Sequence, residues 1–341
     1  MPRYRDRAVE FTGPEAGAVG ELDRPEPGPD EVVVRTAVSA VSAGTELLVY
    51  RGAVDDGAPA DVNLPALDGR LDFPLPSGYA AVGTVTEVGE RVDPDWRGET
   101  VFGFSPHRST FRAKPEDLVV VPSEVDPERA ALFASAETAV TFALDGAPRL
   151  GERVAIFGQG VVGLLTTAVL ARTGVETILA VEPVRRRRAI AESMGADVTI
   201  DPTRRDPVEA IRSETASEGI DLAIEVSGRP SVLEDAVEAT RFDGRVLVGS
   251  WYGTRREPIG LDSHFHRGRI RIDSSQVSTI DPALGGRWDR DRRREVALSQ
   301  LGEIDVSKSI THRIPVTDAP RAYELLATRP GEAIQVLFTY E

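Results

Sequence analysis

The stretch Val154-Ala155-Ile156-Phe157-Gly158-Gln159-Gly160-Val161-Val162-Gly163 decides the fold. An apolar run suited to a buried strand passes through three glycines at G-x-G-x-x-G spacing into an apolar segment of helix length. Gly158 makes the tight turn, Gly160 lets the backbone approach a pyrophosphate, and Gly163 permits close packing of helix on strand. The helix start at Val161 and Val162 offers amide donors and the positive end of a dipole. Taken alone, such glycine spacing also describes a structural turn. Here Glu182 follows nineteen residues after Gly163, at the end of the next strand-like run, which is the context dinucleotide binding requires.

A carboxylate at position 182 accepts hydrogen bonds from ribose hydroxyls and repels a 2′-phosphate, so NAD is expected. NADP remains the alternative, because the arginines at 185–188 stand just beyond. They read either as partners for that phosphate or as the solvated first turn of a helix, with Arg187 placed to stack on adenine. Ser227, and Ser250 with Trp251, close two later strand runs. Ligands of such sheets bind outside the carboxyl ends of strands, so these residues are expected to border the nicotinamide. Packing is the other reading of Trp251.

Outward from this motif, strand runs at 154–157, 177–181, 197–200, 222–226, 245–248 and 269–272 alternate with helix-length segments. That rhythm predicts an α/β fold with a doubly wound parallel sheet of the Rossmann kind. Upstream, Pro- and Gly-rich sequence carries short β-type runs at 31–38, 81–88, 99–104 and 118–121, with a loop-like stretch at 53–75. A β-rich tail follows the helix expected near 292–301.

Composition excludes whole classes of chemistry. The chain has 341 residues and no cysteine, so disulfides, thiolate metal sites and cysteine nucleophiles are out. Acids outnumber bases 55 to 40, a net charge of −15 that argues against nucleic-acid and anionic-membrane partners. Only Lys114 and Lys308 are lysines. Dispersed carboxylates with so little lysine predict a salt-adapted cytoplasm, an arginine-rich codon bias being the alternative. The absence of a long apolar run and of a signal-peptide pattern predicts a cytoplasmic protein with no membrane partner.

Three further stretches carry a resemblance: Gly44-Thr45-Glu46, the segment from Gly78 to Gly83, and the tail Ile310-Thr311-His312-Arg313-Ile314-Pro315. With the fingerprint, they resemble the medium-chain dehydrogenase/reductase superfamily over essentially the whole chain. Ser42 to Gly52, Trp251-Tyr252-Gly253 and Ser274-Ser275-Gln276-Val277 resemble its bacteriochlorophyllide hydroxyethyl dehydrogenase branch. The resemblance implies a GroES-like catalytic domain over 1–125 and 277–341, a Rossmann domain over 126–276, and a homodimer. It implies a secondary alcohol or ketone as the small-molecule substrate, such as a side chain on a ring scaffold. An NADPH-dependent enone or quinone reductase and a non-catalytic NAD-binding protein are the alternatives.

In zinc-dependent relatives the segment at 78–83 reads Gly-His-Glu-x-x-Gly, and the His holds the metal. Here Tyr79 and Ala80 stand in those places, Ala43 replaces one cysteine and the segment near Ala134 lacks the other. The resemblance therefore implies a member without zinc, in which hydrogen-bond donors stabilise the reacting oxygen. Thr45 matches the hydroxyl that begins the family's proton relay, or else caps a helix. Tyr79 is expected to donate to the substrate oxygen, or to pack. His107 is expected to trade protons, or to lie on a surface loop. Glu137 is expected to orient Tyr79 or to face solvent, and Thr138 resembles the residue touching nicotinamide.

Overall fold

The computed structural model describes residues 5–55, 57–59, 69–262 and 264–341. Part of the loop-like 53–75 stretch thus lies outside the described residues. The chain forms two compact units: residues 1–134 with 306–341, and residues 135–305. These bounds differ from the expected 1–125 with 277–341. The helix Arg290–Glu303 belongs to the second unit, where Arg293 pairs with Glu137 and Arg172 with Glu303. Those pairings link residues far apart in sequence, which is why local composition misplaces the boundary.

The first unit opens with β1 (Asp6–Gly13), β2 (Ala16–Leu22), β3 (Val32–Val41), β4 (Leu75–Pro76), β5 (Ala81–Val88), β6 (Thr100–Gly103), β7 (Thr110–Ala113) and β8 (Leu118–Val120). The second unit holds β9 (Arg153–Phe157), β10 (Thr177–Val181), β11 (Val198–Ile200), β12 (Ile220–Glu225), β13 (Thr240–Val248) and β14 (Arg271–Ser274). The chain then returns to the first unit through β15 (Ile310–Pro315) and β16 (Gln335–Thr339).

In the second unit the six strands run in the order β11-β10-β9-β12-β13-β14, and every pair is parallel. The central strands β9 and β10 are apolar and buried along nearly their whole length, as burial on both faces demands. Ala155, Phe157, Leu179, Ala223 and Val246 pack against Ile211, Leu233 and Val237 from the helices. Strand order reverses beside β9, so the turns after β9 and β12 lie together where such sheets bind ligands. The last strand begins two residues later than the sequence pattern suggests. Arg269 has φ 56°, a left-handed conformation that a strand does not continue.

The first unit is built from a three-stranded sheet, β2-β1-β4, and a seven-stranded sheet containing β15-β16-β3-β5-β6-β8 with β7 on β3. Gly83 is required within it: a Cβ there would sit 2.1 Å from the Arg35 carbonyl oxygen. Phe11, Tyr50, Tyr323 and Phe338 form an apolar cluster around the helices Ala43–Tyr50 and Ala319–Thr328. Backbone hydrogen bonds Val9 N to His107 O, His107 N to Ser77 O, and Ser105 N to Tyr79 O stitch β1 to two loops. These loops carry the candidate residues. Among the described residues no helix is long and apolar enough to cross a membrane.

Candidate functional site

In the first unit, the site is organised by the start of the helix Ala43–Tyr50. Ser42 is the N-cap, and Glu46 reaches back so that its Oε1 accepts the Ser42 N–H at 2.7 Å. A carboxylate in the first turn also complements the helix dipole. Thr45 is not the cap: it lies within that turn. The Tyr79 hydroxyl donates to Ser42 Oγ at 2.7 Å and also meets the Thr45 side chain. Burial raises the Tyr79 pKa; the hydrogen bond to Ser42 opposes this, the Glu46 charge adds to it, and Thr45 opposes it. The net effect keeps the phenol protonated, as a donor must be. Three hydroxyls, Ser42, Thr45 and Tyr79, thus gather where the sequence offered no metal ligand.

His107 corrects one of the two expectations made for it. It is fully buried rather than on a surface loop, and both ring nitrogens are occupied. Nδ1 lies 2.7 Å from Ser39 Oγ and Nε2 lies 3.1 Å from Glu46 Oε2. The ring stands edge-on to Phe338 at 4.8 Å. Gly78 makes this possible. At φ 85° it turns the chain, and a Cβ there would fall 2.3 Å from the imidazole. Glu46 Oε2 also accepts the Tyr323 hydroxyl at 2.6 Å. Ser39, Ser42, Ser77, Tyr323 and Tyr340 escape notice in the sequence because nothing local marks them.

In the second unit, the fingerprint glycines do three different jobs. Gly158 has φ 101°, and its Cβ position lies 2.7 Å from Ser227 Cα; Gly163 approaches the Gly158 carbonyl so closely that a Cβ would sit 2.0 Å from its oxygen. Gly160, the N-cap of the helix Val161–Leu170, has nothing within 4 Å of its Cβ position. That open cradle, beside the helix start at half-buried Val161 and Val162, is the space a pyrophosphate needs.

Glu182 is buried at the end of the β10 run. Its Oε2 accepts the Gln159 N–H at 2.8 Å and its Oε1 the Val184 N–H at 2.9 Å. Arg187 approaches to 3.8 Å, whereas Arg188 bonds the Glu182 and Pro183 carbonyls and Asp201. Glu182 therefore also shapes the glycine turn, a role the spacing alone does not disclose. Arg185 and Arg186 are exposed.

At the end of β12, fully buried Glu225 accepts both the N–H and the hydroxyl of Ser227, at 2.7 and 2.5 Å, and the Tyr252 hydroxyl at 2.5 Å. Burial first, then the hydrogen bond and charge of Glu225, hold the Tyr252 phenol protonated. Ser250 Oγ accepts the Gly228 N–H at 2.9 Å, so Ser250 is joined to the turn that follows Ser227. Trp251 is 44 % exposed.

Glu137, expected to orient Tyr79 or face solvent, instead accepts Arg293 Nε at 3.2 Å and Nη2 at 2.9 Å. Both side chains are buried, and Arg293 also holds the Thr279 carbonyl. Thr138 follows on the same helix, Phe133–Gly146. Arg293→Ala is expected to cost about 3–5 kcal/mol in denaturant unfolding, because it strands a buried carboxylate. The paired change of Glu137→Leu and Arg293→Met should cost less than Arg293→Ala alone.

Among the described residues no group of three or more His, Asp or Glu could hold a metal ion. Residues 161–283 match the family described as "Zinc-binding dehydrogenase". The chain is 27 % identical to L-threonine 3-dehydrogenase of Pyrococcus furiosus, over 97 % of each protein. It is 24 % identical to D-guloside 3-dehydrogenase of Escherichia coli, over 96 % of this chain and 98 % of that one. Its fold matches that of 2R,3R-butanediol dehydrogenase from Bacillus subtilis with a TM-score of 0.81 and 22 % identity, covering 98 % of this chain and 100 % of the other.

Proposed function

We propose that this chain, an NAD(P)-dependent dehydrogenase or reductase of the medium-chain kind, interconverts a secondary alcohol and a ketone without zinc. The observation that carries this reading is the Tyr79–Ser42–Thr45 hydroxyl group. The donor set does not fit zinc, which takes three or four convergent nitrogen, sulfur or carboxylate ligands. Ala43, Ala80 and Ala134 carry no ligand atom, and the Tyr79 hydroxyl is engaged with Ser42. Both His107 nitrogens and both Glu46 oxygens already have protein partners.

A nicotinamide, when bound, supplies or takes the hydride. Gly158, Gly160, Gly163 and the first turn at Val161 and Val162 would hold its pyrophosphate, and Glu182 a ribose. Ser227, Ser250, Trp251 and Thr138 are assigned to the nicotinamide end. With substrate bound, the Tyr79 proton would turn from Ser42 Oγ to the substrate oxygen while Ser42 donates to the phenol oxygen in its place, with Thr45 completing the hydrogen-bonded path. Glu182 favours NAD over NADP by repelling a 2′-phosphate, and the branch resemblance favours a hydroxyethyl or acetyl side chain on a ring scaffold. The second unit's edge strand β14 has no partner on one side within the described residues, and we assign the homodimer contact to it.

A panel of secondary alcohols, ketones and enones, offered with NAD(H) and NADP(H), tests this reading. Ketone turnover with a preference for NADH is expected. Enone turnover with NADPH would replace it by an enone reductase, and tight NAD binding without any turnover by a binding protein.

A further inference from the structure

We propose that Glu46 and His107 are a buried positioning pair that fixes the Ser42 and Tyr79 hydroxyls. The inference rests on the reading of Tyr79 as donor to the substrate oxygen. Around His107 the contacts form a chain from Tyr340 to Ser39 (2.8 Å), Ser39 to His107 (2.7 Å) and His107 to Glu46 (3.1 Å). A second branch runs from Ser77 to Tyr323 (3.1 Å) and on to Glu46 (2.6 Å). One arrangement of protons satisfies every member. Tyr323 donates to Glu46, so Ser77 donates to Tyr323. With the proton on Nε2, His107 donates to Glu46 and accepts at Nδ1 from Ser39, which accepts in turn from Tyr340. Both branches then point their donors at one carboxylate.

The phenols suit that polarity. Burial raises the pKa of Tyr323 and of Tyr340, and the Glu46 charge raises both further, so each keeps its proton. What Glu46 does with this support is visible at its other oxygen. Oε1 holds the Ser42 amide, and Ser42 Oγ receives the Tyr79 hydroxyl. A fully satisfied buried network has one low-energy arrangement, whereas losing one member leaves a buried group unpaired and several arrangements close in energy. The pair thereby ties the helix start, the Gly78–Tyr79 turn and the loop at 105–109 into one unit. His107 and Glu46 touch no substrate in this scheme; they act through Ser42.

Incorporation of 3-fluorotyrosine gives one ¹⁹F resonance for each of the six tyrosines, and Tyr79→Phe identifies that of Tyr79. Glu46→Gln and His107→Gln should shift the Tyr79 resonance together with those of Tyr323 and Tyr340. The Tyr252 resonance, in the second unit, and NADH affinity should stay as in the parent. With any ketone that turns over, kcat should fall about tenfold at unchanged KM for cofactor, as expected from one misaligned hydrogen bond. Tyr323→Phe removes a single donor to Glu46 and serves should either variant fail to fold. A Tyr79 resonance that stays put while those of Tyr323 and Tyr340 move would overturn the proposal, as would an unchanged kcat. The resonances report even if no carbonyl compound turns over, so the pair and the dehydrogenase reading fail separately.

Discussion

Tyr79→Phe lowers the rate of hydride transfer by about 10²–10³, the usual effect of deleting one donor to a developing oxyanion. The loss is confined to kcat. Cofactor affinity is unaffected, because every residue assigned to the nucleotide lies in the other unit. The fold should tolerate the change, since the deleted hydroxyl donates to Ser42 Oγ, another hydroxyl, and strands no charge. Single-turnover kinetics with preloaded cofactor separates these effects. Unchanged turnover would assign Tyr79 to packing and leave Thr45 as the remaining hydroxyl donor.

The second large effect contrasts two fingerprint glycines. Gly160→Val should leave folding intact, because nothing lies within 4 Å of the new Cβ. It fills the cradle instead, and cofactor affinity should fall by about a hundredfold or more, the loss of roughly 3 kcal/mol. Gly163→Ala should do the opposite. Its Cβ would press on the Gly158 carbonyl oxygen from 2.0 Å, so the helix must move and stability falls by about 1–3 kcal/mol or more. Thermal unfolding and NADH fluorescence titration, read together, distinguish the two. Equal stability losses would mean that the Gly160 side of the turn is not an open cradle.

The two units differ in how far their sequence discloses them. The parallel sheet is legible because each strand and helix is a continuous local pattern, and the run 154–163 already contains strand, turn and helix start. In the first unit, β1 and β2 pass unnoticed: β2 reads Ala-Gly-Ala-Val-Gly-Glu-Leu, too small and glycine-rich to look like a strand. The helix Ala43–Tyr50 is short, and only its cap signal shows. The residues assigned to the nucleotide are likewise local to strand ends, where glycine spacing and its strand–helix context mark them.

The hydroxyl group and its support are a different matter. Tyr79 and Thr45 stand out by resemblance, but His107 meets Glu46 across 61 positions and Tyr323 meets it across 277. No periodicity encodes such contacts. The same holds for Glu137, whose partner Arg293 is 156 positions away. A buried polar residue in a sequence announces that it needs a partner. It does not say which one.

The most direct test of metal-free transfer uses protein exhaustively dialysed against chelator, verified metal-free by mass spectrometry, and mixed with 4-deuterated NADH and a ketone identified by the panel. Deuterium is predicted to appear on the carbinol carbon of the product at the rate of undialysed protein, with added zinc giving no increase. Transfer that disappears on dialysis and returns with one equivalent of zinc would contradict the account.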